Sequence, residues 1–226
     1  SSVGHGGASA YLALMALFGL PATTMKPTAL VLNIIVAALG SVRYLRAGQF
    51  RWRTLWPFLV GAIPFAFVGG AIKLPGDVYK PLVGIVLLLS AARLLWPAEI
   101  RALRETRDAP VWLAVLLGCG IGLLSGLTGT GGGIFLSPLL LFLAWSAPKP
   151  TSGVASVFIL ANSSAGLLGN LASVQQLPPD LPLYAGAVLA GALVGTTLGI
   201  RLQAPIILKA LGVVLVVAGV KLLGLY

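Results

Sequence analysis

Charge is the scarcest commodity in this sequence. Of 226 residues, 9% are charged and only five are acidic, whereas an average soluble domain carries roughly a quarter charged residues. With 58% hydrophobic side chains and a mean hydropathy of +1.01, the chain cannot coat a globule of its own size with polar surface. A soluble enzyme, a disordered tail and a nucleic-acid binder are thereby excluded, and a polytopic membrane protein remains. Histidine and cysteine occur once each, as His5 and Cys119. One of each cannot build a zinc site, and a lone cysteine gives no disulfide framework. No carboxylate lies within an apolar run, so acid–base pairs and carboxylate proton relays in the membrane are excluded too. Gly126–Gly133 contains neither GxGxxG nor a phosphate-binding GxxxxGK, which removes dinucleotide and nucleotide sites. Neither a cofactor nor an enzymatic activity is expected.

What is present is a series of apolar runs: Ala8–Leu20, Thr28–Val42, Leu55–Ile72, Pro81–Ala92, Val111–Leu127, Ile134–Trp145, Thr151–Val174, Leu181–Ile200 and Ala210–Val220. A bilayer core of about 30 Å needs roughly 20 helical residues, fewer where flanking Lys, Arg and Trp snorkel. A β-barrel would show alternating segments of about ten residues, whereas these runs are continuous in Leu, Ala, Val and Gly. The expected fold is therefore an all-α transmembrane bundle. From Ala109 to Pro148 forty residues pass without a charge, about 60 Å as straight helix. That stretch must cross twice or enter and fold back, and Gly129-Thr130-Gly131-Gly132-Gly133 is the expected break. Pro97–Pro110, where Arg101, Arg104 and Arg107 face Glu99, Glu105 and Asp108, reads as a solvated cytoplasmic linker. It separates a first transmembrane repeat, residues 1–96, from a second, residues 111–226.

The two halves repeat one another. Lys26-Pro27-Thr28 recurs as Lys149-Pro150-Thr151, and Gly4-His5-Gly6-Gly7 as Gly129-Thr130-Gly131-Gly132. Gly61 and Gly70 match Gly186 and Gly195, both 125 residues on. Pro81–Leu95 aligns without gaps on Lys209–Leu223, which pairs Arg93 with Lys221. A period of this length suits a duplicated transporter and is too long for a solenoid. The net charge of +10 collects between the runs, where cytoplasmic loops gather bases. Loop 43–53 carries Arg43, Arg46, Arg51 and Arg53, while its counterpart, 172–182, has no base and holds Asp180. Corresponding loops then lie on opposite faces, and the repeat is expected to be inverted. Nothing precedes Gly4 as Val111–Leu127 precedes Gly129, so a first helix is expected to be missing from this chain, which opens Ser1-Ser2-Val3 without an initiator Met.

The glycine clusters carry the chemistry. Unwound backbone at membrane depth is tolerated where it lines a cavity or is buried in protein, and glycines let N–H groups form anion-binding concavities. The helices that follow, near Ala8 and Ile134, would aim their N-termini at the same place. The candidate substrate-binding residues are Gly4, His5, Gly6, Gly7, Thr130, Gly131, Gly132 and Gly133, with Thr28, Asn33, Thr151 and Ser152. His5 reads equally as a proton-linked anion donor and as a loop residue at the membrane surface. Thr28 and Thr151 follow Pro where a helix would begin and are expected to be caps; Lys26 and Lys149 are expected to be snorkelling anchors. Asn33, Ser156, Asn162 and Ser163 either bond across helices or line a path. The stripes Gly118/Gly122/Gly126 and Ala187/Gly191/Gly195/Gly199 are expected to permit close helix packing.

Gly-x-Gly-Gly-Gly followed by Pro138 and an apolar run, then Pro150-Thr151-Ser152, resembles the TauE/SafE group of sulfite exporters. Gly4-His5-Gly6-Gly7-Ala8 and Pro27-Thr28-Ala29-Leu30 fit one branch of it. The resemblance covers nearly the whole chain. It implies a carrier for sulfite, sulfonates and related organosulfur anions in the bacterial inner membrane, with the anion placed on the two glycine clusters and on Thr28, Thr151 and Ser152. The first cluster departs from the fuller pattern, with His5 and Ala8 where the second has Thr130 and Gly133. The alternative is a passive anion channel or a membrane subunit without transport of its own. The expected partners are the small anion and membrane lipid, with a homodimer as a further option and no nucleic acid.

Overall fold

The computed structural model describes residues 8–95, 106–174, 179, 181–198 and 204–224, and every regular element among them is an α-helix. In chain order these are α1 (Ala8–Leu17), α2 (Ala22–Arg46), α3 (Trp52–Ala71), α4 (Gly76–Leu95), α5 (Val111–Thr128), α6 (Gly133–Phe142), α7 (Pro148–Val174), α8 (Leu181–Leu198) and α9 (Ala204–Leu222). Helix is what lipid demands, because each backbone N–H and C=O must find its partner within its own segment. Among the described residues five helices, α2, α3, α4, α5 and α7, are long and apolar enough to cross a bilayer. This is a multi-pass membrane protein.

The helices pack in two apolar clusters. One gathers α1, α2, α4 and α9 around Leu12, Met25, Tyr79, Leu87 and Leu215. The other gathers α3, α5, α6 and α7 around Leu55, Phe58, Leu136, Leu140 and Phe158. In lipid no hydrophobic force separates helix from tail, so contact must come from close backbone approach. The seam between α3 and α5 achieves it. Gly118, Gly122 and Gly126 lie against the carbonyls of Phe58, Ala62 and Ala66, and Gly61 and Gly69 return the contact against those of Val115 and Leu123. Residue numbers rise together along this seam, so the two helices run parallel. α2 and α7 run antiparallel: a Cβ on Gly40 would meet Ser156 Oγ at 3.2 Å, and one on Gly166 would meet Leu30 at 3.3 Å. On α8 an added Cβ at Gly191, a member of the expected stripe, or at Gly186 beside it meets nothing within 4 Å among the described residues.

The forty charge-free residues resolve as a hairpin. α5 has 18 residues and α6 only 10, and the Arg107 N–H donates to the Ala144 carbonyl at 2.9 Å, returning the end of α6 to the start of α5. At about 1.5 Å per residue α6 spans about 15 Å, half of a hydrocarbon core of about 30 Å. The chain therefore enters and folds back. α1 is also a 10-residue helix, beginning and ending 125 positions before α6. Each short helix ends beside a base from another helix. The Lys221 ammonium on α9 donates to the Leu17 carbonyl at 2.7 Å, and the Arg93 guanidinium on α4 stacks 5.7 Å from the Phe142 ring centroid. Positive charge is favoured at helix C-termini.

Two expectations at the Lys-Pro-Thr pair are corrected. α2 begins at Ala22 and α7 at Pro148, so Thr28 and Thr151 lie inside helices and cap neither. Thr151 Oγ1 donates back to the Ala147 carbonyl at 2.8 Å, a local bond open to Thr within a helix. Pro27 stands within α2 without ending it. Lys149 is exposed at the start of α7, as an anchor should be, but Lys26 is 6% exposed. Its Nζ donates to the carbonyls of Gly69, Gly70 and Ile72 at 2.9, 2.8 and 3.0 Å. It does not snorkel, because the unpaired carbonyls at the end of α3 offer it a closer set of acceptors than water.

Candidate functional site

The site begins with three glycines in the left-handed region: Gly129 at φ 83°, Gly131 at 73° and Gly132 at 79°. Side-chain-bearing residues pay roughly 1–2 kcal/mol each for that conformation. Gly129 ends α5 as its C-cap, and Gly132 precedes α6 as its N-cap. The negative end of one helix dipole and the positive end of another therefore meet across four residues. Residues 129–133 are all buried. Among the described residues the N–H groups of Thr130, Gly131 and Gly132 donate no hydrogen bond, nor do those of Gly133 and Ile134 in the first turn of α6. Five successive buried donors are left open.

Side chains from three other helices hold this backbone in place. Asn33 on α2 donates Nδ2 to the Gly129 carbonyl at 3.0 Å, and Asn162 on α7 donates Nδ2 to the Gly131 carbonyl at 3.3 Å. Tyr79 on α4 donates its hydroxyl to the Thr128 carbonyl at 3.0 Å. In a trans peptide the N–H points opposite to the preceding C=O. Fixing the carbonyls of Gly129 and Gly131 therefore turns the N–H groups of Thr130 and Gly132 the other way. Thr128 Oγ1 donates to the Leu124 carbonyl at 2.7 Å, so in the 3.0 Å contact between the Thr128 and Thr130 hydroxyls the proton belongs to Thr130. Packing closes the remaining freedom. A Cβ on Gly131 would sit 2.9 Å from Ser163 Oγ and 3.0 Å from Asn33 Nδ2, and one on Gly132 would sit 2.8 Å from Phe158 and 2.9 Å from Asn162 Nδ2.

Beside the break lies a cavity of about 190 Å³, lined among others by Thr23, Lys26, Lys73, Tyr79, Leu127 and Asn170. Two ammonium groups and no carboxylate border it. It reaches the break through Leu127 and through Tyr79, whose hydroxyl holds Thr128. The arrangement offers backbone donors and a positive helix end to a small anion in a desolvated setting, with positive charge in the neighbouring cavity.

Of the residues singled out in the sequence, Thr130, Gly131, Gly132 and Gly133 are brought together with Asn33. Thr28 lies on α2 five residues before Asn33, 1% exposed, with Oγ1 unpartnered. Thr151 and Ser152 are not gathered at the break. They sit about 16 Å along α7 from Asn162, near the end where Gly153 meets Gln49 and Tyr44. Ser152 donates to the Pro148 carbonyl at 3.4 Å and Ser156 to the Ser152 carbonyl at 2.9 Å. Gly4, His5, Gly6 and Gly7 lie outside the described residues. Asn162 and Ser163, polar groups in an apolar helix, join the site directly. Tyr79 was not anticipated, because between Asp77 and Lys80 it reads as a residue facing the membrane surface.

The family model described as Sulfite exporter TauE/SafE matches residues 1–222. The chain is similar to the Probable membrane transporter protein y4hK of Sinorhizobium fredii, 40% identical over 227 residues that cover 99% of this chain and 92% of that protein. It is also similar to the Probable membrane transporter protein YtnM of Bacillus subtilis, 25% identical over 167 residues, covering 70% of this chain and 56% of that protein. No solved structure matches it significantly.

Proposed function

The chain belongs to the Sulfite exporter TauE/SafE family of membrane transporters, and on that footing we propose that it is a secondary carrier for a small sulfur-containing anion, sulfite or an organosulfonate, exporting it across the bacterial inner membrane. The observation that carries this reading is the run of open N–H groups from Thr130 to Ile134 at the start of α6. An oxyanion accepts several such bonds at once, and the helix N-terminus adds a favourable field. The antiparallel crossing of α2 and α7 and the equal lengths of α1 and α6 support two inverted repeats working about that site. Export follows from energetics, since an inside-negative potential drives a monoanion outward at roughly 2.3 kcal/mol per 100 mV.

The test is uptake of radiolabelled sulfite into proteoliposomes under an imposed potential, with excess sulfonate as competitor. Saturable flux with counterflow is expected, and Gly132→Ala should abolish it while the folded protein remains. The strain at Gly132 is about 1–2 kcal/mol, small enough for the fold to survive and large enough to displace Asn162 and close the nest. Flux that survives Gly132→Ala unchanged removes the break as the anion site. Current without saturation would make the protein a channel.

A further inference from the structure

The Lys26 ammonium carries a charge that no described residue neutralises. The carbonyls of Gly69, Gly70 and Ile72 take its three protons, but neutral oxygens solvate a charge without cancelling it. A charge held away from water is costly without a counter-charge. Among the described residues the one ion pair joins Arg53 to Asp108. Asp77, on the exposed first turn of α4, pairs with neither Lys26 nor Lys73. What Lys26 does border is the cavity of about 190 Å³ beside the break, where Lys73 stands exposed and makes no hydrogen bond. Asn170 lines the same space and is 4% exposed. Its side chain also makes no hydrogen bond, and of its two polar atoms Oδ1 is the one fully buried. The edge that Asn170 keeps for the cavity is therefore the donor Nδ2. Two ammonium groups and an unused amide share one space that no carboxylate borders.

We infer that this cavity is a second anion site, separate from the glycine break and filled alongside it, with Lys73 and Asn170 as ligands and Lys26 supplying the field. Its ligand is the small oxyanion of the carrier reading above, on which the inference rests. Tyr79 stands between the two sites: it lines the cavity, and its hydroxyl holds the Thr128 carbonyl at the end of α5. Lys26 lies 20 residues from Arg46 on α2, about 30 Å as helix. Bases gather on the cytoplasmic side, and Arg43 and Arg46 close α2, so the cavity belongs to the outer half. An anion leaving the break outward meets it before bulk water. Two like charges in neighbouring sites repel, so filling either site loosens the other by the same factor. The second site thereby assists release in the direction that the potential favours.

The experiment counts radiolabelled sulfite bound at equilibrium to the purified chain in detergent, beside sulfite flux in proteoliposomes. Two per chain are expected at low salt, and the weaker should be lost first as ionic strength rises, because the exposed Lys73 is open to screening. Gly132→Ala should leave one, bound about threefold more tightly than the weaker wild-type site once no anion at the break repels it. Lys73 is exposed, so its variants should keep the fold. Lys73→Met should weaken the cavity site by about fivefold, the upper yield of an exposed ion pair. Lys73→Glu should empty it and Lys73→Arg retain it, whereas a merely structural Lys73 would leave the count at two. One sulfite on the wild type and none on Gly132→Ala overturns the inference, and so does a count of two untouched by Lys73→Glu. Saturable flux from a chain that binds one sulfite leaves the carrier standing and removes its second site. Binding of one radiolabelled chloride that Lys73→Glu abolishes, with neither binding nor flux of any sulfur anion, keeps the cavity as an anion site and removes the carrier reading.

Discussion

The two halves repeat residues without repeating surroundings. Lys26 and Lys149 open the same Lys-Pro-Thr tripeptide, yet one is buried against three carbonyls and the other is exposed. The cause is the start of each helix. α2 begins four residues before Lys26, and α7 one residue before Lys149, so the same side chain is carried about 6 Å into the bundle in one half and left at the rim in the other. Gly61 and Gly186 make the same contrast: Gly61 is pressed against the Val115 carbonyl of α5, while an added Cβ on Gly186 meets nothing within 4 Å among the described residues. A repeat fixes what each backbone can tolerate, and the neighbouring helix decides whether that capacity is used.

Substitution at paired positions can break this contrast. The largest difference is expected at the glycines. Gly61→Ala drives a methyl into the Val115 carbonyl and should cost about 3 kcal/mol, at the upper end of overpacking. Gly186→Ala should stabilise the helix by up to about 1 kcal/mol. Thermal melts in detergent would show it, and equal shifts at the two positions would mean that α8 is covered as tightly as α3. Next come the lysines. Lys26→Met strips charged donors from three carbonyls and should cost about 3 kcal/mol, the strength of a bond to a charged group; Lys149→Met should fall within about 0.5 kcal/mol of zero. The smallest effect is Tyr79→Phe, about 1 kcal/mol for one hydrogen bond. Sulfite flux should fall more than stability does, because the bond lost is the one on the carbonyl of Thr128. Tyr184→Phe on α8, a half-buried tyrosine away from the break, is the matching control and should leave both unchanged.

Much of the architecture could be read from residues alone because lipid simplifies the problem. A run without charge must be helix, and forty such residues must turn back, so the break at Gly129–Gly133 was legible from composition and length. Helix ends were not. α2 and α7 extend upstream of the apolar runs at Thr28 and Thr151, because a helix in protein surroundings can include Lys26 once carbonyls receive it. Asn33 stood out as an amide in an apolar run, but nothing in the sequence says that it donates to a carbonyl 96 residues away. Tyr79 was illegible for the same reason: its partner, Thr128, belongs to another helix, and its charged neighbours point outward. Residues whose role is local could be read, and residues whose role is to hold a distant backbone could not.

The grip of Lys26 on α3 has a consequence for biogenesis. Its acceptors lie 43 to 46 positions later in the chain, and ribosomes add roughly 5–20 residues per second. For several seconds α2 therefore exists with an ammonium whose acceptors have not been made, and a charge within the membrane is costly without a partner. The start of α2 must wait at the headgroups or within the insertion machinery until α3 is complete, then settle inward as its carbonyls arrive. The first two long helices thus enter the membrane as one unit, and the buried charge records the order in which they were born.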